Sequence, residues 1–189
     1  MGLIRALTEF LLDWLLDRFI QSPLSPDYRM APEREGVEIW GEGDEPTICL
    51  RECKVESDEY RELVALRFNE LRRPLGLVWE EGELARDHGE RHFGLYLGAT
   101  LIGVAVVGKV GDGVKIRQVA VQSNRQDEGY GRSLMGQVES LLWREGVMEF
   151  RLHARVSVAG FYDKLGYVRE GEIFEEVGVD HVLMVKRLT

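Results

Sequence analysis

The sequence predicts a mixed α/β domain, and three observations carry that reading. Between His92 and Gln122 three strand-like runs follow one another, separated by glycine-bearing turn signals. From Tyr130 the apolar period changes: Tyr130, Leu134, Met135, Val138, Leu141 and Leu142 fall on one helical stripe. After that stripe the chain returns to short runs, giving the order β-α-α-β-β-β-α-β-α-β-β over residues 47–189. There is no internal repeat, so stacked-repeat architectures drop out.

Residues 1–20 read as an amphipathic helical extension. Leu3, Leu7, Leu11, Trp14, Leu15 and Phe19 build a broad apolar face. Arg5, Glu9, Asp13 and Asp17 form its polar stripe, too charged for a span and too acidic for an anionic lipid surface. The expectation is a helix packed on its own domain or on a second copy, which leaves a homodimer open. Residues 21–46 form a loop or linker, marked by Pro23, Pro26, Pro32 and Pro46 with Gly36, Gly41 and Gly43. Thr47 to Lys54 then alternates as a strand. Ser57 or Asp58 caps a helix through Leu71, with Tyr60, Leu63 and Val64 at helical spacing. Pro74-Leu75-Gly76 breaks it, and Trp79 to Asp87 reads as a second short helix. His92–Leu97, Leu101–Lys109 and Lys115–Gln122 are strands, with Gly98-Ala99 and Asp112-Gly113 as hairpin signals. The helix from Tyr130 ends at Gly146, where a C-terminal glycine belongs. Phe150–Ala154 is a strand, Val158–Leu165 a short helix, and two strands from Tyr167 finish at Val185.

Charge narrows the function classes. With 24 lysines and arginines against 33 acidic residues the net charge is −9, which argues against nucleic acid as a partner. Two cysteines, Cys49 and Cys53, make neither a disulfide framework nor a metal site. Lacking a secretory signal pattern, the chain is expected in the cytoplasm with both thiols reduced.

The stretch from Val119 to Arg132 carries the chemistry. A strand runs through a turn bearing Gly129 and Gly131 directly into a long helix. Glycine lets the backbone approach a ligand closely, and the first N–H groups of a helix lack internal partners and favour an anion. Arg125 and Arg132 flank this potential phosphate cradle, although the glycines alone also suit a plain helix cap. Gln126-x-x-Gly129-x-Gly131 resembles the Arg/Gln-x-x-Gly-x-Gly/Ala signature of the GNAT superfamily of acyl-CoA-dependent N-acyltransferases. Phe161-Tyr162-Asp163-Lys164-Leu165-Gly166-Tyr167 resembles its Phe/Leu-Tyr-x-x-x-Gly-Phe/Tyr segment, and the tail from Gly171 to Met184 is similar to that of a bacterial branch. The resemblance covers residues 47–189.

It implies a mostly antiparallel, mixed GNAT-type sheet flanked by helices, and acetyl-CoA as co-substrate. Backbone groups of Val119, Ala120 and Val121 would bind the pantetheine arm as an added strand. Those of Gln126, Asp127, Glu128, Gly129, Tyr130, Gly131 and Arg132 would hold the pyrophosphate. Tyr162 falls on the position of the general acid that protonates the departing thiolate. Two positions depart from the pattern: Arg155 stands where many relatives have asparagine, and Val158 where alanine is commoner.

The function expected is transfer of acetyl to a primary amine, on a small molecule or as an amino group of a protein or peptide. The alternative is a non-catalytic acyl-CoA-binding or interaction module, because the strand glutamate of some relatives is missing: Lys115, Ile116, Arg117 and Gln118 precede Val119. Histidine titrates in the right range for a base, and His153 is the first substitute, ahead of His181 and Glu172. No metal is expected; His88 and His92 have helical i, i+4 spacing, but Gly89 lies between them and a third ligand is not in view.

Overall fold

The computed structural model describes residues 47–80 and 82–188. The helix expected over residues 1–20 and the linker over 21–46 lie outside the described residues. Seven strands form one sheet: β1 (Ile48–Cys53), β2 (Arg91–Leu97), β3 (Thr100–Val110), β4 (Gly113–Val121), β5 (Glu149–Arg155), β6 (Val168–Glu176) and β7 (Val179–Arg187), in the order β1-β2-β3-β4-β5-β7-β6. Every neighbouring pair is antiparallel except β4–β5. This is the mixed, mostly antiparallel sheet that the sequence resemblance implied. Three helices flank it: α1 (Asp58–Arg67), α2 (Tyr130–Arg144) and α3 (Ala159–Asp163).

Both faces of the sheet are covered. Leu134, Met135, Val138 and Leu142 of α2 pack against Phe93, Leu95, Ile102, Ile116, Phe150 and Leu152. On the other face Leu63 and Leu66 of α1 meet Tyr96, Leu101, Val104 and Ala120. Burying a side chain of this size stabilises the fold by about 1.5–3 kcal/mol. Gly94 lets the α1 side close, because a Cβ there would stand 2.7 Å from the Tyr96 ring and 3.2 Å from a Leu63 methyl.

Helix α1 begins as predicted, with the Ser57 hydroxyl accepting the Tyr60 N–H at 3.1 Å. Its end differs from the sequence reading. Instead of an α-helix to Leu71, a π-helical turn runs over Phe68–Arg72 and a 3₁₀ turn over Arg73–Leu75. Pro74 has no N–H to donate and its ring crowds the preceding turn, so the helix widens ahead of it. The helix expected over Trp79–Asp87 is also corrected. Gly82 at φ +73° interrupts it, and only a 3₁₀ segment over Leu84–Gly89 forms. The helix expected from Val158 to Leu165 is shorter, since Val156–Val158 is 3₁₀ and α3 ends at Asp163.

One irregularity positions the site. Val104 pairs with Ala120 but Val106 pairs with Arg117, so β4 carries one residue more than β3. The backbone absorbs this β-bulge at Gln118, a non-glycine residue at φ +50°. Such a conformation costs energy and clusters at functional sites.

Candidate active site

Strands β4 and β5 are in register at two places only, Val114–Phe150 and Lys115–Arg151. Past Lys115 they part, and β4 runs on through the bulge to Val121 without a β5 partner. The Gln118 side-chain oxygen Oε1 is buried and has no hydrogen-bond partner among the described residues. An unpartnered strand flank and an orphaned acceptor are what an extended, amide-bearing ligand would satisfy.

The chain then turns tightly. Gln122 N–H donates to the Ile102 carbonyl at 2.9 Å, and the Gln126 side-chain amide donates to the Val121 carbonyl at 3.2 Å. Ser123 N–H donates to Glu70 at 3.0 Å, tying this loop to the π-helical turn. Asp127 at φ +64° and Gly129 at φ +87° swing the backbone into α2. Gly129 is the N-cap and offers no side-chain acceptor, so the first N–H groups of α2 are uncapped. At Gly131 a Cβ would stand 3.3 Å from the Phe161 ring, so α2 and α3 approach as closely as glycine permits. The candidate binding residues Val119, Ala120, Val121, Gln126, Asp127, Glu128, Gly129, Tyr130, Gly131 and Arg132 therefore lie along one continuous path.

Tyr162 sits beside this path, on α3, next to Phe161. It is 8% exposed and packs edge-on against Phe161 and Tyr167, with ring centroids 5.0 and 5.8 Å away. Burial pushes its phenol up to about 12, so it holds its proton at neutral pH.

His153 lies on the other face. Along β5, Leu152 and Ala154 point into the α2-side core that contains Tyr162, and His153 alternates away from them. The structure does not bring Tyr162 and His153 into contact; they flank the parting of β4 and β5 from opposite sides. His153 Nδ1 donates to Glu176 Oε2 at 2.6 Å, and the Lys115 ammonium lies 3.2 Å from both ring nitrogens. Phe174 packs edge-on against the imidazole at 4.7 Å. Burial works to raise the Glu176 carboxyl, but the His153 hydrogen bond and the charges of His153 and Lys115 outweigh it and hold it below its ordinary value. Burial lowers the Lys115 ammonium. Of the weaker candidates, His181 is engaged with the Val179 carbonyl at 2.7 Å, and Glu172 is exposed on β6.

Glu176 was not singled out from the sequence. Its signal was its place in a β6–β7 hairpin that pairs Phe174 with His181 and so carries both to the His153 face. A buried ion pair also went unread. Arg67 donates to Asp87 at 2.6 Å with both side chains at most 1% exposed, and the Tyr60 hydroxyl donates to the same carboxylate at 2.8 Å. The Arg67 and Arg72 guanidinium groups lie over the Trp79 ring at 5.1 and 4.3 Å, and Arg72 is paired with Glu83. This cluster pins the π-helical turn over the parted strands. His92 Nε2 faces the Asp87 carbonyl at 2.9 Å, and no group of three or more potential metal-binding side chains occurs among the described residues. No described helix is long and apolar enough to cross a membrane.

Comparison with known proteins places this geometry. Residues 78–188, more than half of the chain, match the family described as the acetyltransferase (GNAT) domain. A Bacillus subtilis (strain 168) protein, named provisionally as an acetyltransferase, is 33% identical over 101 residues, 53% of this chain and 69% of its own. Among solved structures, Escherichia coli ElaA superposes with a TM-score of 0.63 at 21% identity, covering 75% of this chain and 100% of that one. A GNAT family acetyltransferase from Elizabethkingia anophelis, solved with acetyl-CoA bound, superposes with a TM-score of 0.58 at 16% identity, covering 75% and 98%. At those identities the structural likeness speaks for the fold alone. The sequence matches go further: the chain belongs to the GNAT family of acetyltransferases and is an acyltransferase.

Proposed function

We propose that this chain transfers an acetyl group from acetyl-CoA to a primary amine by direct attack of the amine on the thioester. One observation carries the reading: the free flank of β4 past Lys115 runs without a break into the uncapped N-terminus of α2. The residues on that path fit acetyl-CoA. Backbone groups of Val119, Ala120 and Val121 pair with the pantetheine amides, and a β4 N–H beside the bulge polarises the thioester carbonyl. The N–H groups from Gln126 to Arg132 hold the pyrophosphate, where the helix dipole adds partial positive charge.

Proton flow follows from the side chains. Glu176 fixes the His153 tautomer with the proton on Nδ1, and Nε2 takes the proton that the attacking amine loses once the Lys115 ammonium, 3.2 Å from it, turns away from that nitrogen. Collapse of the addition intermediate expels coenzyme A as a thiolate, and the Tyr162 hydroxyl supplies its proton. Residues 47–189 form the catalytic domain, preceded by the 1–20 extension and the 21–46 linker. The free thiols of Cys49 and Cys53 suit a reducing cytoplasm.

Calorimetric titration with coenzyme A tests the binding half of this reading. Gly131→Glu puts a Cβ against Phe161 and an anion in the phosphate cradle, and should weaken binding at least about tenfold. Gly131→Ala, which adds only the Cβ, should lose less. Absence of heat with the wild-type chain would overturn the assignment. Thiol release over a panel of amines tests the chemical half; tight binding without turnover on any of them would overturn direct transfer to an amine.

A further inference from the structure

We infer that the amine this chain acetylates also carries a carboxylate, which Arg155 and Lys115 seat while the amine faces His153. The inference rests on the acetyl-transfer reading above. It starts from the cations on the His153 face. Arg117 is paired with Glu90, Arg151 with Glu149, and Arg72 with Glu83. Arg155 has no carboxylate partner among the described residues. Its Nη2 donates to the Leu71 carbonyl at 3.1 Å, and none of its other nitrogens is a buried, unpartnered atom.

That single hydrogen bond has a geometric consequence. Leu71 belongs to the π-helical turn on the β4 side, and Arg155 ends β5. The side chain therefore spans the parted strands and holds a half-buried guanidinium across the mouth of the cleft. A guanidinium fixed at one N–H still presents donors in a planar fork, the arrangement that fits a carboxylate. Lys115 approaches from the other side, against the His153 ring. Lys115 has the charges of Glu176 and Glu90 near it, whereas Arg155 has no carboxylate partner among the described residues. His153 and Arg155 are two residues apart on one strand face, about 6.6 Å at 3.3 Å per residue. That is the backbone spacing, so both side chains rise from one strand face, where a short amino-carboxylate can set its amine at the imidazole and its acid on the fork. A polyamine would bring a second cation and no carboxylate for Arg155 to hold. The acidic run around Glu80, which could have drawn a cationic amine, is committed in part, since Glu83 holds Arg72.

The shared chemistry is a primary amine close to a carboxylate, either a free amino acid or an acidic residue at a peptide N-terminus. Thiol release should be followed with L-amino acids and their carboxamides, with peptides beginning in Glu or Asp and matched peptides beginning in Gln or Asn, and with spermidine. Acids should exceed their amides at least tenfold in kcat/KM, and whichever arm responds identifies the source. Arg155→Gln should bring the acid-to-amide ratio close to one by raising KM for the acid, and Arg155→Lys should restore part of it. Equal use of acids and amides, or a preference for spermidine, overturns the inference and leaves the acetyltransferase standing. A rise in KM for acetyl-CoA instead of the acceptor would assign Arg155 to the cofactor and overturn it as well. If no amine is acetylated the transfer reading fails. The carboxylate site then survives only if calorimetry shows the acids binding to wild type and not to Arg155→Gln.

Discussion

Tyr162→Phe should lower kcat by roughly 10²–10⁴-fold, the range associated with loss of a general acid, while KM for acetyl-CoA stays near its original value. The substitution keeps the ring against Phe161 and Tyr167 and deletes only the hydroxyl. Since burial pushes the phenol up to about 12, the wild-type rate should show no falling limb from this group between neutrality and that pH. The same shift has a stability consequence with a definite sign. The unfolded chain ionises its tyrosine near the ordinary value of 10.0, before the folded chain does, so stability falls as pH climbs from there to about 12. Burial moves Tyr60, Tyr96 and Tyr167 in the same direction, and they share that slope. Denaturant titrations at high pH on wild type and Tyr162→Phe would isolate the part due to Tyr162. An unchanged kcat would mean that water protonates the thiolate.

Asp87→Ala should be the most destabilising single substitution on the acceptor side, costing about 3–5 kcal/mol. Its carboxylate is fully buried and receives both Arg67 and the Tyr60 hydroxyl. Removing it leaves a guanidinium at 1% exposure without a counter-ion. Against a typical total stability of about 5–15 kcal/mol, the variant should melt far below wild type. In urea the midpoint should fall with the slope unchanged. The double variant Asp87→Ala, Arg67→Met should recover much of the loss, because removing both charges of a buried pair is often close to neutral. A double variant as unstable as the single one would show that packing around Asp87 dominates instead.

The sequence was informative wherever structure is local. The Ser57 cap, the Gly98 and Gly111–Gly113 turns and the Tyr130–Arg144 helix all follow from short-range patterns. The π-helical turn did not follow, because Pro74 announces that a helix must fail without saying how the preceding turn yields. Glu176 was hidden for a different reason: β6 also bears Glu170, Glu172 and Glu175, and only the pairing of β6 with β7 selects one of them. Arg67 was the most readable of the missed residues. Tyr60, Leu63, Val64 and Arg67 share one helical stripe, so a charge on that stripe already implied a buried partner. Its partner, Asp87, lies twenty residues on in an irregular segment, where no period points to it. The parting of β4 from β5 has no local signature at all.

The two-pair seam between β4 and β5 also bears on motion. Backbone bonding stitches β1–β4 into one unit and β5–β7–β6 into another, and only Val114–Phe150 and Lys115–Arg151 join them. Side-chain burial does the rest, since α2 packs on Ile116 from the first unit and on Phe150 and Leu152 from the second. The sheet should therefore open along this line before it unravels anywhere else. In native-state hydrogen exchange, amides bordering the seam should be released in a sub-global opening. Those of Val106 and Val107, which have paired strands on both sides, should exchange only when the whole domain unfolds. A ligand laid into the parting would bridge the two units, so slower exchange at the seam would report its arrival without any assay of turnover.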